Sequence, residues 1–257
     1  MNRGEYEVMA RVEAHHWWYR GLRDLLARCL RHPDLALPPE PRILDAGCGT
    51  GSNLTFLHDL LQPSYLAGFD PSPDALEYAR RKGAGAHVYE SDVCDPILHV
   101  DELDLVVSLD VICIPGAARA REGLRRLVSR LRPGGLFVLN LPAFDWLYSE
   151  HDVAVHTQER FTTAGVRDVL EGLELSVARL SYRVCALFPA VLLARLPQKL
   201  RATPDASRAR SDLHRFPAPF LNRLLAGVLA AENRVLARGV SLPFGSSVFA
   251  IGRKPAP

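Results

Sequence analysis

A short glycine-rich segment holds the residues best suited to chemistry in this chain of 257 residues. It reads Asp45-Ala-Gly-Cys-Gly-Thr-Gly51, and it lies between an apolar stretch and a helical pattern. Glycines let the backbone turn tightly and approach a ligand closely. A loop that follows a strand and opens a helix in an open α/β sheet receives a nucleotide-like ligand. We therefore predict that Gly47, Cys48, Gly49 and Gly51 line such a binding site.

The carboxylate of Asp45 bears on which ligand the loop receives. A carboxylate suits a ligand that carries an ammonium group, and it fits poorly beside a pyrophosphate. The third glycine of the dinucleotide pattern G-x-G-x-x-G would fall on Ser52, although that variant of the pattern is not excluded. An ammonium-bearing nucleoside is favoured, and a dinucleotide such as NAD stays open as the alternative.

Three further acids stand where apolar strand patterns end. Asp70 is placed to accept both hydroxyls of a ribose, a contact that NAD shares with other adenosine ligands. We expect Asp92 to accept a hydrogen bond from an adenine amino group, and Val93 to pack on the ring. Asp110 follows the next strand and lies beside the glycine loop.

The elements that position these residues alternate regularly along the first 141 residues. Strand patterns cover residues 42–45, 65–70, 86–90, 103–109 and 136–141, and helical patterns cover 52–61, 73–82 and 117–131. Strands that are apolar on both faces and alternate with helices favour a parallel sheet covered on both sides. The predicted fold class is α/β.

The rest of the chain is predicted to elaborate this sheet. We expect helices over 5–30, 162–173, 187–196 and 220–238, a loop over 144–161, and strands over 175–184 and 247–253. If these two strands pair, the stretch between them is a helical insertion and not a separate domain. The predicted single domain, 1–257, then has a helical lid (1–32), a core with an acceptor loop (41–184), an insertion or cap (185–245) and a final strand (246–257).

Composition excludes several classes of function. The 31 basic and 29 acidic residues nearly cancel, whereas a nucleic-acid partner would need a concentrated basic face. The five cysteines are widely spaced without a CxxC pair, which favours neither a disulfide framework nor a zinc site, and we predict no metal. The N-terminus lacks an apolar signal region, and no run of about 20 apolar residues is present. We therefore predict a cytoplasmic protein.

The order of these motifs resembles that of the class I S-adenosylmethionine-dependent methyltransferases. The resemblance is strong over about 41–141, and it rests on Leu44-Asp-Ala-Gly-Cys-Gly-Thr-Gly51, Gly68-Phe-Asp70, Glu90-Ser-Asp92-Val93, Ser108-Leu-Asp110-Val111 and Arg132-Pro-Gly-Gly135. It implies a Rossmann-like, mostly parallel, seven-stranded sheet whose last strand is antiparallel. It also implies S-adenosylmethionine as the cofactor.

The resemblance assigns parts of the cofactor to residues. Asp45 and the 47–51 backbone would hold the methionine end, Asp70 with Pro71 the ribose, and Asp92 with Val93 the adenine. Leu109 and Asp110 would flank the methionyl group. The C-terminal segment Leu242-Pro-Phe-Gly-Ser-Ser247 resembles a bacterial subgroup associated with saccharide and lipid-linked glycan genes. That subgroup carries an aromatic WY-x-x-R-like segment, which implies that Tyr19 and Arg23 reach the cofactor.

The function that this implies is methyl transfer to a small-molecule, saccharide or lipid-linked acceptor, most often through oxygen. An oxygen acceptor usually needs a base to remove its proton. We predict His151 and His156, with His16 in addition, as candidate bases. Arg160 is predicted to hold an acidic acceptor. Trp18 and Tyr148 are predicted to contact the acceptor.

One departure from the family pattern affects the choice of base. Many relatives have Glu-His two residues after the Asp-Val pair of strand four, where this chain has Cys113-Ile114. The base must therefore come from another segment, or the acceptor needs none. Two alternatives follow: an S-adenosylmethionine-binding protein with other chemistry, or an NAD-dependent oxidoreductase.

The insertion raises the question of partners. Apolar residues near 188–196 lie beside a group of basic residues, which suits either a solvated acceptor cap or a peripheral contact with an anionic membrane. The basic group comprises Lys199, Arg201, Arg208, Arg210 and Arg215. The cap is the favoured interpretation, and the chain is expected to be a monomer or a homodimer.

Overall fold

The computed structural model of the chain describes residues 3–199, 209–214 and 216–256. Within these residues seven strands form one sheet in the order β3-β2-β1-β4-β5-β7-β6. The strands are β1 (Arg42–Ala46), β2 (Tyr65–Asp70), β3 (His87–Glu90), β4 (Leu103–Leu109), β5 (Leu131–Pro142), β6 (Ser176–Arg183) and β7 (Ser247–Arg253). Neighbouring strands from β3 to β5 are parallel, and β7 runs antiparallel to both β5 and β6. The predicted Rossmann-like sheet with an antiparallel last strand is confirmed.

Helices cover this sheet and its carboxyl edge. They are α1 (Arg3–Val12), α2 (Trp17–Leu30), α3 (Ser52–Leu61), α4 (Pro73–Lys82), α5 (Ala117–Ser129), α6 (Glu150–Val155), α7 (Thr163–Gly172), α8 (Phe188–Lys199) and α9 (Pro219–Leu236). Local residues set the bounds of α4. The Ser72 side chain accepts from the N–H of Ala75, Pro73 is the first helical residue, and Gly83 ends the helix at φ 64°.

The predicted parallel core is buried on both faces. Val106 of β4 belongs to one apolar cluster, and its neighbours Leu105 and Val107 belong to another. Side chains alternate across a strand, so consecutive apolar residues serve opposite faces of the sheet. This double burial leaves the strand ends as the places where polar side chains group.

Two sequence predictions are wrong in detail. The helix predicted over 117–131 ends at Ser129, and Leu131 already pairs with Leu103, so β5 is longer than the predicted 136–141. The predicted loop over 144–161 contains a 3-10 turn at Asp145–Leu147 and the helix α6. Helix α6 starts at a capping box in which Ser149 and Asp152 bond each other's backbone amides. The prediction failed because so short a helix has no apolar period to detect.

The N-terminal helices pack on the insertion. A Cβ atom on Gly21 of α2 would lie 2.4 Å from Leu229 Cδ1 of α9, so glycine permits this close approach of the helices. The side chain of Asn222 accepts from Trp17 N–H at 2.8 Å and donates to the His15 carbonyl at 2.9 Å. Asn233 donates to the carbonyl of Gly21 at 2.8 Å. The N-terminal helices and the insertion therefore contact each other both through apolar packing and through hydrogen bonds.

The insertion links two strands that pair with each other. Arg183 at the end of β6 is in register with Ser247 at the start of β7, as the insertion interpretation required. In the portions of the chain that the structure describes, no helix is long and apolar enough to cross a membrane. The same portions contain no cluster of three or more His, Cys, Asp or Glu residues that could hold a metal ion.

Candidate functional site

The glycine loop has a backbone that other residues would adopt with difficulty. Gly47 and Gly51 have φ of 86° and 85°, in the left-handed region that favours glycine. A Cβ on Gly51 would lie 2.7 Å from the Cα of Ala79, so α4 closes directly against the loop. The N–H groups of Gly47 and Cys48 both donate to the Phe69 carbonyl at 2.8 Å. The loop is thus bonded to β2 and held close to α4.

Asp45 is a buried carboxylate without a partner among the described residues. Its side chain is 1% exposed, and both of its oxygens are buried and lack a hydrogen bond. Burial raises the pKa of Asp45 to about 7, with smaller contributions from the charges of Asp70 and Glu13. Buried polar groups are normally paired, so an unpaired carboxylate beside a glycine loop fits a ligand that brings a donor. An ammonium group supplies that donor together with the opposite charge.

Arg23 offers the complementary charge from the lid. One terminal nitrogen, Nη2, donates to the Glu13 carbonyl at 2.5 Å, whereas Nη1 is buried and no described residue bonds it. Glu13 is among the charged groups that influence the pKa values of both Asp45 and Arg23. A carboxylate without a partner and a guanidinium nitrogen without a partner, both acted on by Glu13, suit a zwitterion with an ammonium and a carboxylate. The amino-acid end of S-adenosylmethionine carries both groups.

Glu13 ties the lid to the glycine loop, which the sequence did not reveal. It lies in the turn between α1 and α2, and it is 5% exposed. Its carboxylate accepts from the Thr50 hydroxyl and pairs with the Lys82 ammonium. Lys82 also donates to the Thr50 carbonyl at 2.6 Å. No periodic pattern marks such a contact, because its three members lie far apart along the chain.

Asp70 stands at the end of β2, where a ribose was predicted. Its two oxygens accept from the backbone N–H groups of Gly49 and Ser72, each at 3.0 Å. Burial raises its pKa, and these two hydrogen bonds act in the opposite direction. A carboxylate oxygen has room for a second hydrogen bond, so Asp70 is able to fix the loop and accept from ribose hydroxyls together.

The two residues predicted to bind the adenine differ in exposure. Asp92 is exposed and accepts from Cys94 N–H at 2.7 Å, which makes it a turn residue as well as a candidate ligand. Val93 is buried in the core, with its carbonyl against Gly123.

Pro71 is exposed beside Asp70. Cys48 is buried, and burial raises the pKa of its thiol, so it remains a neutral small residue.

A polar group that the sequence did not predict lies at the ends of β4, β5 and β6. Asp110 has φ of 58°, and both of its oxygens accept from the Asn140 amide, at 2.9 and 3.0 Å. The oxygen of that amide accepts from Arg183 Nη1 at 3.3 Å. The guanidinium carbon of Arg183 lies 5.1 Å from the ring centroid of Trp18. Burial raises the pKa of Asp110 to about 7 against the effects of Asn140 and Arg183.

One feature of the sequence does mark Asn140. It is the single polar residue in the apolar pattern 136–141, and it is fully buried. A polar residue inside a buried strand must find a partner, which here is Asp110.

The predicted cofactor residue Tyr19 contacts Trp18 edge-on at 5.1 Å, and burial raises its pKa. Leu109 is half-buried and packs on the cluster that includes Trp18.

Two of the predicted catalytic histidines are engaged within the protein. His16 caps α2, where its Nδ1 accepts from Trp18 N–H at 3.3 Å, and burial lowers its pKa to about 4. His151 Nδ1 accepts from Asp212 N–H at 3.1 Å, and burial lowers its pKa as well. The carboxylate of Asp212 raises both pKa values in opposition to burial.

The remaining acceptor-side residues lie near the surface. His156 is exposed at the end of α6 with φ of 63°, and burial lowers its pKa. Tyr148 is 43% exposed. The roles of these residues and of the other histidines stay predictions.

Arg160 has a different position from the one that its predicted role requires. Its Nε and Nη2 bond the two oxygens of Asp152 at 2.9 and 3.2 Å, and Nη1 donates to the Ala143 carbonyl. The side chain is 4% exposed. Because its three nitrogens are bonded to Asp152 and Ala143, Arg160 is engaged within the protein and does not face an acceptor as predicted. It fixes α6 to the end of β5 instead.

The basic group of the insertion falls largely outside the described residues. Arg201, Arg208 and Arg215 lie outside them, and the side chain of Lys199 is not described. Arg210 is exposed, and its backbone N–H donates to Glu150 at 3.3 Å. The predicted membrane contact of this group therefore stays a prediction.

Comparison with known proteins agrees with the geometry. A model of the family described as "Methyltransferase domain" matches residues 43–135. Trans-aconitate 2-methyltransferase from Streptomyces coelicolor is 31% identical, over 92% of this chain and 82% of the relative. Fatty-acid O-methyltransferase from Mycolicibacterium smegmatis is 25% identical, over 59% of this chain and 56% of the relative.

Solved structures share the fold over nearly the whole chain. A Haloferax volcanii methyltransferase, solved in complex with the Trm112 methyltransferase activator, superposes with a TM-score of 0.60 at 19% identity. That match covers 99% of this chain and 95% of the other. The relationship to trans-aconitate 2-methyltransferase and the match to the methyltransferase family decide between the two ligands that the glycine loop left open, in favour of S-adenosylmethionine over NAD. The chain belongs to the class I S-adenosylmethionine-dependent methyltransferases.

Proposed function

We propose that this methyltransferase transfers the methyl group of S-adenosylmethionine to an oxygen atom of a small-molecule acceptor. The observation that carries the proposal is the unpaired, buried carboxylate of Asp45 beside the glycine loop. It marks where the ammonium group of the cofactor would bind. The unpaired Nη1 of Arg23 supports a place for the cofactor carboxylate nearby.

When bound, the cofactor supplies a methyl group on a positively charged sulfur, which is a good leaving group. The chain's own residues then have to hold, orient and enclose the reactants. Asp45, Arg23 and the loop amides would hold the methionine end, and Asp70 the ribose. The hydrogen bond between Glu13 and Thr50 would hold the N-terminal helices against the glycine loop.

Two considerations support an oxygen acceptor. The similar proteins include one named for trans-aconitate and one named for O-methylation of fatty acids, and both compounds carry carboxylate oxygens. Strands β4, β5 and β6 also carry polar groups at their ends that suit an oxygen-bearing molecule. These groups are Asp110, Asn140 and Arg183.

The test combines binding with product formation. We expect calorimetry to show one-to-one binding of S-adenosylhomocysteine to the wild-type chain. Incubation with methyl-tritiated S-adenosylmethionine and a bacterial metabolite extract should label a small molecule, and mass spectrometry should show the added methyl group on oxygen. The exposed variant Asp59→Asn serves as a control that leaves both results unchanged, since Asp59 is 74% exposed on α3.

Three outcomes would contradict parts of the proposal. Absence of S-adenosylhomocysteine binding would remove its basis. Binding without any methylated product would favour the alternative of a binding protein or of different chemistry. Label on nitrogen or carbon would contradict the oxygen acceptor.

The extract experiment also tests the finer predictions. Label that partitions into the organic phase and is released by mild acid would identify a lipid-linked saccharide, and label in the aqueous phase would identify a free acceptor. Light scattering on the purified chain distinguishes the monomer from the homodimer. Fractionation of cells tests the predicted cytoplasmic location and its peripheral membrane alternative.

A further inference from the structure

Arg183 is a buried arginine whose best binding edge is unused. The residue is 0% exposed, and Nη1 makes its one hydrogen bond, to Asn140. Nε and Nη2 are buried and have no partner in the part of the chain that the structure describes. Within the described residues, no carboxylate lies within ion-pair distance of its guanidinium. Buried charges are normally paired and hydrogen-bonded, so this arrangement leaves a place for an anion.

The unused edge is the one that binds a carboxylate through two parallel hydrogen bonds. Arg160 shows the arrangement in the same molecule, because its Nε and Nη2 hold the two oxygens of Asp152. The planar guanidinium matches a planar carboxylate in this geometry. Asn140 bonds both Arg183 and Asp110, and the Glu232 carboxylate accepts from the backbone N–H groups of Val184 and Ala186, so neither acid bonds this edge.

Arg183 lies on the acceptor half of the sheet. Asp45 and Asp70 end β1 and β2, and the cofactor would extend over these strands toward β3. The other neighbours of β1 are β4 and then β5, β7 and β6. Since β7 is antiparallel to both of its neighbours, β6 ends at the same edge as β5. Arg183 reaches from that end to Asn140 of β5, with Trp18 of the lid over its guanidinium.

We propose that Arg183 binds a carboxylate of the acceptor through Nε and Nη2, and that this carboxylate is the group that receives the methyl. The inference rests on the proposed function. In the step, a carboxylate oxygen forms the bond to the methyl carbon, and the sulfur–methyl bond breaks with its electron pair left on sulfur. The products are a methyl ester and S-adenosylhomocysteine. The anion and the sulfonium neutralise each other, and no proton is released.

A carboxylate acceptor also explains how the reaction would proceed without a histidine base. A carboxylate is already ionised at neutral pH, so it needs no general base. The Glu-His pair expected after β4 is replaced by Cys113-Ile114, and His16 and His151 both use a ring nitrogen to accept a backbone hydrogen bond. A carboxylate acceptor therefore needs neither the replaced Glu-His pair nor these two histidines as a base.

The chemical test uses the stability of the product. Methyl esters hydrolyse in base and release volatile methanol, whereas methyl ethers, methylamines and methyl phosphates do not under the same mild treatment. The wild-type chain is incubated with methyl-tritiated S-adenosylmethionine and a bacterial metabolite extract, and the product is then brought to about pH 12. We expect most of the label to become volatile. Label that stays with the product contradicts a carboxylate acceptor and leaves the proposed methyl transfer to oxygen standing.

The residue test uses Arg183→Gln with Arg179→Gln as its control. Arg179 lies on the same strand and pairs with Asp34. With the acid isolated from the base-labile product, we expect Arg183→Gln to raise the acceptor KM on the order of 100-fold, the usual effect of losing hydrogen bonds to a charged group. Arg179→Gln should leave it within about twofold.

Two binding measurements do not depend on turnover. Calorimetry of S-adenosylhomocysteine should give the same Kd for Arg183→Gln as for the wild type, which also shows that the variant folds. Calorimetry of the isolated acid with the S-adenosylhomocysteine-loaded chain should show its binding lost in Arg183→Gln only. A Kd for S-adenosylhomocysteine that rises about 100-fold would assign Arg183 to the cofactor carboxylate and overturn the proposal. Failure of wild type to bind S-adenosylhomocysteine, or to form any product, would instead contradict the proposed function and this inference together.

Discussion

Replacing Asp45 with asparagine should weaken cofactor binding and stabilise the ligand-free chain at the same time. Asp45 is 1% exposed, and its carboxylate has no partner among the described residues. An asparagine keeps the shape of the side chain but removes the charge that would pair with the ammonium group. It also removes the cost of holding an unpaired charge in a buried position.

The pKa of Asp45 sets the size of both the stability effect and the binding effect. It rises from 3.8 to about 7 in the folded chain, so the stabilising effect of protonation is complete below the unfolded pKa and is lost as pH rises through about 7. At about 1.4 kcal/mol per pH unit, the ionised carboxylate costs about 4 kcal/mol at pH 8. Asp45→Asn should therefore raise the Tm at pH 8 on the order of 10 °C.

Cofactor binding should also depend on the ionisation of Asp45, but in the opposite sense: the ionised carboxylate favours binding. The ammonium of the ligand requires the ionised carboxylate, which becomes scarce as pH falls below about 7. If the bound ligand returns the pKa to its ordinary range, the Kd should be about 15-fold weaker at pH 5.5 than at pH 7.0. The ligand's amino group stays protonated over this interval.

Calorimetry with S-adenosylhomocysteine at pH 5.5, 6.0, 6.5 and 7.0 measures this effect. The wild type and the control Asp59→Asn should show the slope, and Asp45→Asn should bind more weakly with no slope. Scanning calorimetry of the ligand-free proteins at pH 5 and pH 8 measures the stability effect. A flat wild-type profile, or an Asp45→Asn variant that is less stable than the wild type at pH 8, would refute the reasoning.

Three further substitutions test the elements around the site. Gly51→Ala should lower the free energy of unfolding by about 2–4 kcal/mol in urea titrations, because its Cβ would meet Ala79. The control Gly83→Ala should lower it by about 1–2 kcal/mol, because Gly83 is also left-handed but has open space around it. Equal losses would contradict the packing argument. Arg160→Gln should cost about 2–3 kcal/mol at pH 7 because the buried Asp152 carboxylate loses its two-bond partner and keeps only Arg195 at 3.5 Å and Ser149, and a loss below about 1 kcal/mol would mean that the ion pair is not structural. Glu13→Gln should raise the Kd for S-adenosylhomocysteine about 10-fold by weakening the contact of the lid with the glycine loop, with the exposed Glu7→Gln as control; an unchanged Kd would separate the lid from cofactor binding.

The sequence by itself determined the sheet and the cofactor side of the site. Alternating apolar strands and capped helices specify the parallel core, because burial on both faces requires continuous apolar strands. The same signal places Asp45, Asp70 and Asp110 at strand ends, since parallel strands bring their carboxyl ends to one edge. Local patterns therefore located the glycine loop and the acids around it before any contact was known.

The sequence was less informative wherever a residue's role depends on a distant partner. Arg160 looked free in the chain, but Asp152 holds it through two hydrogen bonds. Helix α6 was missed because its capping box spans only four residues and its length gives no apolar period. Glu13 reaches Thr50 across 37 residues, and nothing near Glu13 in the sequence indicates that contact.

Only the tertiary structure decided which charges are paired and which remain available. Arg160 and Arg183 are the same residue type, and both are buried, yet Asp152 satisfies the first and no acid among the described residues reaches the second. Asp45 is likewise distinguished from Asp70 by the backbone amides that reach Asp70 alone of the two. The sequence specifies where charged side chains enter the site through short-range patterns of burial. Pairing depends on side chains from distant strands and helices that meet only in the folded chain.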